Sequence, residues 1–266
     1  MALKRPRVRP IGGLSLNRMI PNILTLLALC AGMTAIRLAL LDRFEGASAA
    51  IIVAAVLDGI DGRIARLLKG ATSFGAELDS LSDFVSFGVA PAILLYVWTM
   101  IALHGVGWAL ALLFTVCCAL RLARFNTQIG AELPPYAYNF FTGVPAPAAA
   151  MLVMLPMFCS FESGWDFFRS PYLNGAVLAA VAALMVSRVP TFSFKSFRIP
   201  REWVLPMLLV IGAMAAFLTT EPWITLLILG GLYLVSFAFS IRSYARLRRA
   251  AAELRGPREQ RFPPTP

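Results

Sequence analysis

Two pairs of aspartates stand out in a stretch of the chain that is otherwise apolar. Asp58 and Asp61 are three residues apart, and Asp79 and Asp83 are four apart, so each pair lies on one face of a helix. Four carboxylates gathered in a low-dielectric site repel one another and cannot all stay ionised unaided. A hard divalent cation relieves this repulsion, and an all-oxygen ligand set indicates Mg²⁺ or Mn²⁺. Four carboxylates suit two such ions, and paired metals are a known clamp for phosphoryl chemistry.

A turn between the two pairs would bring all four carboxylates to one level. Lys69–Gly70 suits the end of a helix, and Thr72 or Ser73 suits the N-cap of the next. The inner aspartate of each pair is nine residues from Gly70, and the outer ones are twelve and thirteen residues away. At about 1.5 Å per residue, both inner carboxylates lie about 14 Å from the turn and both outer ones about 18–20 Å. The spacing therefore predicts an antiparallel helical hairpin with its acidic side chains clustered.

Small residues and one arginine flank the predicted cluster. Gly62 and Gly75 lack side chains and Ala65 has a short one, so a bulky ligand can approach the backbone there. Arg66 is placed to engage a diphosphate. Each feature also has an ordinary interpretation: a proton or cation relay for the carboxylates, close helix packing for the glycines, and a topology anchor for Arg66.

The elements that must position these residues are membrane helices. Hydrophobic residues make up 59% of the 266-residue chain and charged residues only 14%, well below the quarter or so typical of soluble domains. Apolar runs of bilayer-spanning length recur along the whole sequence. They predict an all-α polytopic protein with about eight transmembrane helices, at approximately 20–41, 47–68, 76–103, 106–124, 138–159, 171–188, 201–219 and 222–245.

The distribution of positive charge predicts the orientation of these helices. The net charge is +10, but the positive residues lie in short segments between and beyond the apolar runs, which argues for anionic lipid rather than nucleic acid. Most of them fall on one side of the predicted bundle, which we expect to be the cytoplasmic side of the inner membrane, with both termini and the active site. We therefore divide the chain into a basic cytoplasmic arm (1–18), a transmembrane catalytic domain (19–245) and a basic, Pro-containing cytoplasmic tail (246–266).

The aspartate-rich stretch resembles the complete signature of one enzyme family, the CDP-alcohol phosphotransferases. The matching positions read Asp58-x₂-Asp61-Gly62-x₂-Ala65-Arg66-x₈-Gly75-x₃-Asp79-x₃-Asp83. The resemblance implies that Asp58, Asp61 and Asp79 bind metal. It also implies that Asp83 contacts metal and acts as the base on the incoming hydroxyl. The remaining implied roles are a cytidine site lined by Gly62, Ala65 and Gly75, with Arg66 at the diphosphate.

Further stretches are similar to the membrane-embedded phosphatidylserine synthases within that family. They are Ile20–Asn22 with Thr25, Ser86–Ala92, Leu120–Asn126 and Phe141–Pro145. The resemblance implies CDP-diacylglycerol and L-serine as substrates, phosphatidylserine and CMP as products, and a homodimer. It also suggests that Asn22 and Thr25 help to bind the nucleotide of the CDP-lipid.

Three polar residues near the end of the fourth predicted helix are candidates for the acceptor site. Arg121 and Arg124 are three residues apart, and an arginine can bind the carboxylate of serine with two hydrogen bonds. Asn126 offers further hydrogen bonds. The alternative is a pair of arginines that snorkel to the membrane surface.

Three other functions stay open at this stage. The same chemistry could serve another acceptor: glycerol phosphate, inositol phosphate or choline. A transporter could use the aspartates as cation sites, and a catalytically silent scaffold could keep the fold without the activity.

Overall fold

The computed structural model describes residues 16–68, 72–128, 140–187, 190–192 and 204–236. Most of the predicted basic arm, the whole of the predicted tail, and the turn at 69–71 lie outside these residues.

The described chain forms eight helices. They are α1 (Leu16–Leu40), α2 (Phe44–Leu67), α3 (Ser73–Trp98), α4 (Gly105–Gln128), α5 (Ala146–Ser163), α6 (Pro171–Val186), α7 (Val204–Thr220) and α8 (Pro222–Ser236). Short 3₁₀ turns follow α3 (Met100–Leu103) and precede α6 (Asp166–Arg169). Each helix overlaps one of the predicted spans, so the all-α prediction is confirmed. The fifth span, predicted at 138–159, begins too early, because residues 140–142 form a short strand and α5 starts at Ala146.

The helices have the length and composition of a membrane protein. Four segments of the described chain are long and apolar enough by themselves to cross a bilayer: Met19–Leu40, Ser73–Trp98, Gly105–Thr127 and Ala146–Ser163. The helices α6, α7 and α8 are apolar but shorter. Large apolar side chains on α1 and α7 are exposed, as expected where lipid takes the place of water.

Among the residues that the structure describes, two three-residue strands, β1 (Phe140–Thr142) and β2 (Pro190–Phe192), pair antiparallel. Gly143 follows β1 with a φ of +80°, a conformation that favours glycine. A Cβ at this position would lie 2.6 Å from the carbonyl oxygen of Met185. Pro145 then caps α5, so the stretch 141–145 serves as a tight entry into that helix.

Close packing holds α1 against α3. A Cβ at Gly32 would lie 2.8 Å from the Cα of Ser86, so the two backbones approach closely there. On the same interface the hydroxyl of Ser82 donates to the Thr25 carbonyl at 3.1 Å, and that of Ser86 donates to the Ala28 carbonyl at 3.2 Å. These contacts set the register between α1 and α3 at the level of the aspartates.

The helix α3 carries a widened turn directly after Asp83. The segment Phe84–Val89 is a π-helix, a feature that is frequent at functional sites. The carbonyl of Gly88, within it, accepts from Thr115 of α4 at 3.4 Å. A Cβ on Gly88 would lie 3.0 Å from Cys118 Sγ, so α4 packs closely against this turn and is held beside Asp83.

Candidate active site

The hairpin of α2 and α3 brings the aspartates together, as their spacing predicts. Asp58, Asp61 and Asp79 each offer a carboxylate oxygen, and these three atoms lie within 4.8 Å of one another. The carboxyl group of Asp58 also interacts with that of Asp83. Thr72 is the N-cap of α3, as predicted, and its hydroxyl accepts from the Gly75 amide at 3.0 Å. The cap starts α3 at the residue that places Asp79 opposite the α2 pair.

The aspartate with the smallest solvent-exposed fraction of the four contacts the first helix. Asp61 is only 3% exposed, and the Thr25 hydroxyl donates to its Oδ2 at 2.7 Å. The same hydroxyl lies 3.0 Å from the Pro21 carbonyl. Since a hydroxyl has one hydrogen to donate, the shorter and charge-assisted contact is the stronger one. Thr25, predicted to help bind the nucleotide, therefore contacts Asp61 and fixes the orientation of its carboxylate.

A cavity of about 180 Å³ adjoins this cluster, and we call it the α1–α3 cavity. It is lined by Pro21, Asn22, Thr25, Asp61, Gly62, Ala65, Thr72, Gly75, Ala76 and Asp79. Residues from three helices thus surround one space with two carboxylates in its wall. Asn22, Thr25, Gly62, Ala65 and Gly75, which the sequence predicts to bind the CDP-lipid, all contribute to this wall.

The two glycines of the cavity differ in their surroundings. A Cβ at Gly75 would lie 2.9 Å from Asn22 Oδ1 and 3.1 Å from Thr72 Oγ1, whereas one at Gly62 would meet nothing within 4 Å. Glycine at 75 therefore lets α1 and the α3 cap approach, and glycine at 62 leaves open space for a ligand.

Arg66 lies beside the cavity and does not line it. Its Nε donates to the Gly62 carbonyl at 2.9 Å, and the side chain is exposed. The guanidinium is thus held one turn from the open position on α2.

The predicted acceptor residues on α4, which we call the α4 polar group, are Arg121, Arg124 and Asn126. One of them interacts with the carboxylates, and the other two contact neighbouring helices. Arg121 interacts electrostatically with Asp83 and Asp58. Arg124 instead donates to the Val186 carbonyl at 2.8 Å, at the end of α6. The amide of Asn126 donates to Ser80 Oγ on α3 at 3.0 Å. The structure therefore places Arg121 alone of the three beside the predicted base.

Sequence reasoning did not single out Ser80 or Tyr233. Ser80 follows Asp79 and links it to α4 through Asn126. Tyr233, on α8, interacts with Arg121. The position of Ser80 next to Asp79 could have been recognised from the sequence, but nothing in the apolar sequence of α8 indicates that Tyr233 interacts with a residue of α4.

The donor set fits a hard divalent cation. Three carboxylates converge from two helices, one of them buried, and carboxylate oxygens are the ligands that Mg²⁺, Mn²⁺ and Ca²⁺ prefer. Buried carboxylates this close together are costly without such a cation. Asp58, Asp61 and Asp79 can therefore hold a metal ion.

Comparison with known proteins agrees with this site. Residues 18–192 match the CDP-alcohol phosphatidyltransferase family, and residues 202–237 match a family described as CDP-alcohol phosphatidyltransferase 2. Three relatives are named CDP-diacylglycerol–serine O-phosphatidyltransferase. The protein of Mycobacterium tuberculosis (strain CDC 1551) is 38% identical over 239 residues, which cover 88% of this chain and 82% of the relative. That of Helicobacter pylori (strain J99) is 33% identical, covering 81% and 87%.

The third relative, from Methanocaldococcus jannaschii, is 35% identical over 182 residues, which cover 67% of this chain and 77% of its own. The resemblance predicted from the aspartate signature is thus confirmed over most of the chain. The protein is a multi-pass membrane protein that belongs to the CDP-alcohol phosphatidyltransferase family.

Proposed function

We propose that this chain is a CDP-diacylglycerol–serine O-phosphatidyltransferase. It transfers the phosphatidyl group of CDP-diacylglycerol to the hydroxyl of L-serine and releases CMP. The observation that carries the proposal is the convergence of Asp58, Asp61 and Asp79 beside a cavity that the small residues of the same signature line. The names of relatives that cover most of the chain support serine as the acceptor.

The α1–α3 cavity takes the nucleotide of the donor lipid. Gly62 and Ala65 let the cytidine lie against the backbone of α2, and Gly75 lets Asn22 approach this space and offer an amide for hydrogen bonding. Arg66, beside Gly62, meets the diphosphate. The acyl chains stay in the lipid that surrounds the exposed apolar faces of the helices.

The carboxylates hold the catalytic metal. Asp58, Asp61, Asp79 and Asp83 are the proposed ligands of Mg²⁺ or Mn²⁺, and four carboxylates suit two ions. When bound, the metal neutralises the diphosphate and stabilises the CMP leaving group.

Asp83 acts as the general base. Its carboxylate accepts the proton of the serine hydroxyl as the serine oxygen attacks the phosphorus attached to diacylglycerol. A bond forms between that oxygen and phosphorus, the bond from phosphorus to the CMP oxygen breaks, and CMP leaves. Arg121, which interacts with Asp83, is placed to hold the serine carboxylate while this happens, and Arg124 and Asn126, predicted for the same site, hold α4 against α6 and α3.

The proposed location follows from charge. The site lies near the cytoplasmic face of the inner membrane, where a water-soluble amino acid and a lipid donor can both reach it, and both termini lie on that face. The homodimer implied by the family stays a prediction.

A panel of acceptors tests the proposal. Purified protein in detergent or liposomes is given CDP-diacylglycerol and Mn²⁺ with L-serine, glycerol 3-phosphate, inositol phosphate or choline, and CMP release is measured together with the lipid product. We expect CMP release and phosphatidylserine formation only when L-serine is the acceptor. CMP release with a different alcohol would reassign the acceptor. Metal-coupled flux into liposomes without CMP release would indicate that the protein is a transporter and not this enzyme.

A further inference from the structure

The last described helix, α8, presents one face to the rest of the protein. Trp223, Leu226, Gly230 and Tyr233 follow one another at intervals of three, four and three residues, which places them on one side of a helix. Trp223 stacks on Phe158 of α5 with ring centroids 5.5 Å apart. Leu226 is only 5% exposed. This face is therefore the one that packs against the bundle.

Close packing in the middle of α8 fixes where its far end lies. A Cβ at Gly230 would be 3.2 Å from Met151 Cε of α5, so α8 lies tightly against α5 there. Tyr233 follows one turn later and packs against the buried core. The stacked Trp223 and the close contact at Gly230 together hold Tyr233 in position.

The Tyr233 hydroxyl is buried and has no hydrogen-bond partner among the residues that the structure describes. A buried hydroxyl without a partner is costly. The phenol interacts with Arg121, and Arg121 interacts in turn with Asp83 and Asp58. A buried donor without a partner therefore lies within electrostatic range of the guanidinium that also acts on the proposed base.

We propose that Tyr233 determines acceptor specificity, by donating a hydrogen bond to the carboxylate of the acceptor that Arg121 also binds. The inference rests on the proposed function and extends it to α8. A guanidinium beside a hydroxyl donor suits an anionic group that offers several acceptor lone pairs.

The carboxylate of the amino acid fits this position better than a phosphate of the donor lipid. Each described residue that lines the α1–α3 cavity comes from α1, α2, the cap of α3 or its first turns, and none comes from α4 or α8. Arg121 and Tyr233 therefore belong to a different wall of the site from the one that takes the nucleotide.

The test is the Tyr233→Phe variant, which removes the hydroxyl and keeps the ring. At saturating CDP-diacylglycerol we expect the KM for L-serine to rise about tenfold, as for the loss of one hydrogen bond to a charged group. The kcat and the KM for CDP-diacylglycerol should change by less than about twofold. The matched control is Tyr172→Phe, since Tyr172 is 79% exposed at the start of α6 and its variant should match the wild type in all three constants.

The outcomes separate this inference from the proposed function. Wild-type kinetics in Tyr233→Phe, with phosphatidylserine still formed, would overturn the role of Tyr233 and leave the function intact. A rise in the KM for CDP-diacylglycerol, with the KM for L-serine unchanged, would indicate that Tyr233 contacts a phosphate of the lipid donor and would overturn the inference. Equal losses for both substrates with a lowered melting temperature would indicate a packing role and overturn it too. If the wild type makes no phosphatidylserine, the proposed function is contradicted, and so is this inference, which rests on it.

Discussion

The two walls of the site are built in different ways. The α1–α3 cavity gathers residues from a short stretch of α1 and from the hairpin of α2 and α3, and five predicted CDP-lipid-binding residues line it. The acceptor wall draws on α4 and, as we propose, α8. Within the α4 polar group, Arg121 interacts with Asp83, whereas Arg124 and Asn126 contact the α6 end and Ser80.

We therefore expect substitutions to affect the two walls differently. The proposed nucleotide wall depends on small residues at set positions of one hairpin, so we expect it to suit any CDP-linked donor. The proposed acceptor wall depends on how α4 and α8 pack around the hairpin, so we expect a change of acceptor to require substitutions in α4 and α8 and not in the hairpin. Substitutions in each wall and at the proposed base test this division.

The largest effect is expected for Asp83→Asn, which keeps the size of the side chain and removes its basicity. The kcat should fall by about 10²- to 10⁴-fold, the usual contribution of a general base. Binding of CDP-diacylglycerol should change much less, measured with a radiolabelled donor. Normal turnover in this variant would remove the assignment of Asp83 as the base.

Thr25→Val tests whether α1 orients the metal-binding carboxylate. Valine keeps the shape of threonine but cannot donate to Asp61 Oδ2, a contact of 2.7 Å. The concentration of Mn²⁺ needed for half-maximal activity should rise by about 10- to 100-fold, as for other residues that orient a metal ligand. Thr34→Val is the control, because Thr34 is exposed on the same helix and its hydroxyl donates to the Cys30 carbonyl one turn earlier. Equal effects in both variants would contradict the role of Thr25.

Arg121→Lys and Arg124→Lys compare two arginines of the same helix. Lysine keeps the charge and loses the forked geometry. For Arg121 we expect the KM for L-serine to rise about tenfold. For Arg124 we expect a smaller rise, with a melting temperature lowered by a few degrees through the weakened contact to the Val186 carbonyl. A larger rise in the serine KM for Arg124→Lys would reverse the order of the two arginines.

The smallest effect distinguishes two glycines of α2. A Cβ at Gly59 or at Gly62 would meet nothing within 4 Å, so alanine should fit at both positions and stabilise the helix slightly. Only Gly62 lines the α1–α3 cavity. Gly62→Ala should raise the KM for CDP-diacylglycerol roughly fivefold through crowding, while Gly59→Ala leaves it unchanged. Identical donor KM values for the two variants would contradict the nucleotide assignment of the cavity.

Much of this site could be predicted from the sequence because its information is local. The spacing of Asp58, Asp61, Asp79 and Asp83 about a turn was enough to predict the carboxylate cluster, since helical geometry alone relates these positions. The Thr72 cap follows from residue type in the same way. The eight helices could be located from apolar runs, because a bilayer imposes their length.

The remainder depends on packing between helices that are distant in the sequence. The contact of Thr25 with Asp61 arises because α1 packs against α2 and brings together two residues that are 36 positions apart. Tyr233 interacts electrostatically with Arg121 because of where α8 packs on α5. Arg124 could equally have faced the site or a helix end, and only the position of α6 distinguishes the two. The hydropathy of the sequence does not indicate which of these contacts between helices forms.

The central claim is that the carboxylates of α2 and α3 hold the metal on which the activity depends. Its most direct test is a Mn²⁺ titration followed by electron paramagnetic resonance, comparing the wild type with Asp79→Asn at equal protein concentration and without substrates. We expect the wild type to bind Mn²⁺ and the variant to lose most of that binding while keeping its helical content. Unchanged Mn²⁺ binding in the variant, or full CMP release by the wild type after complete chelation, would contradict the account.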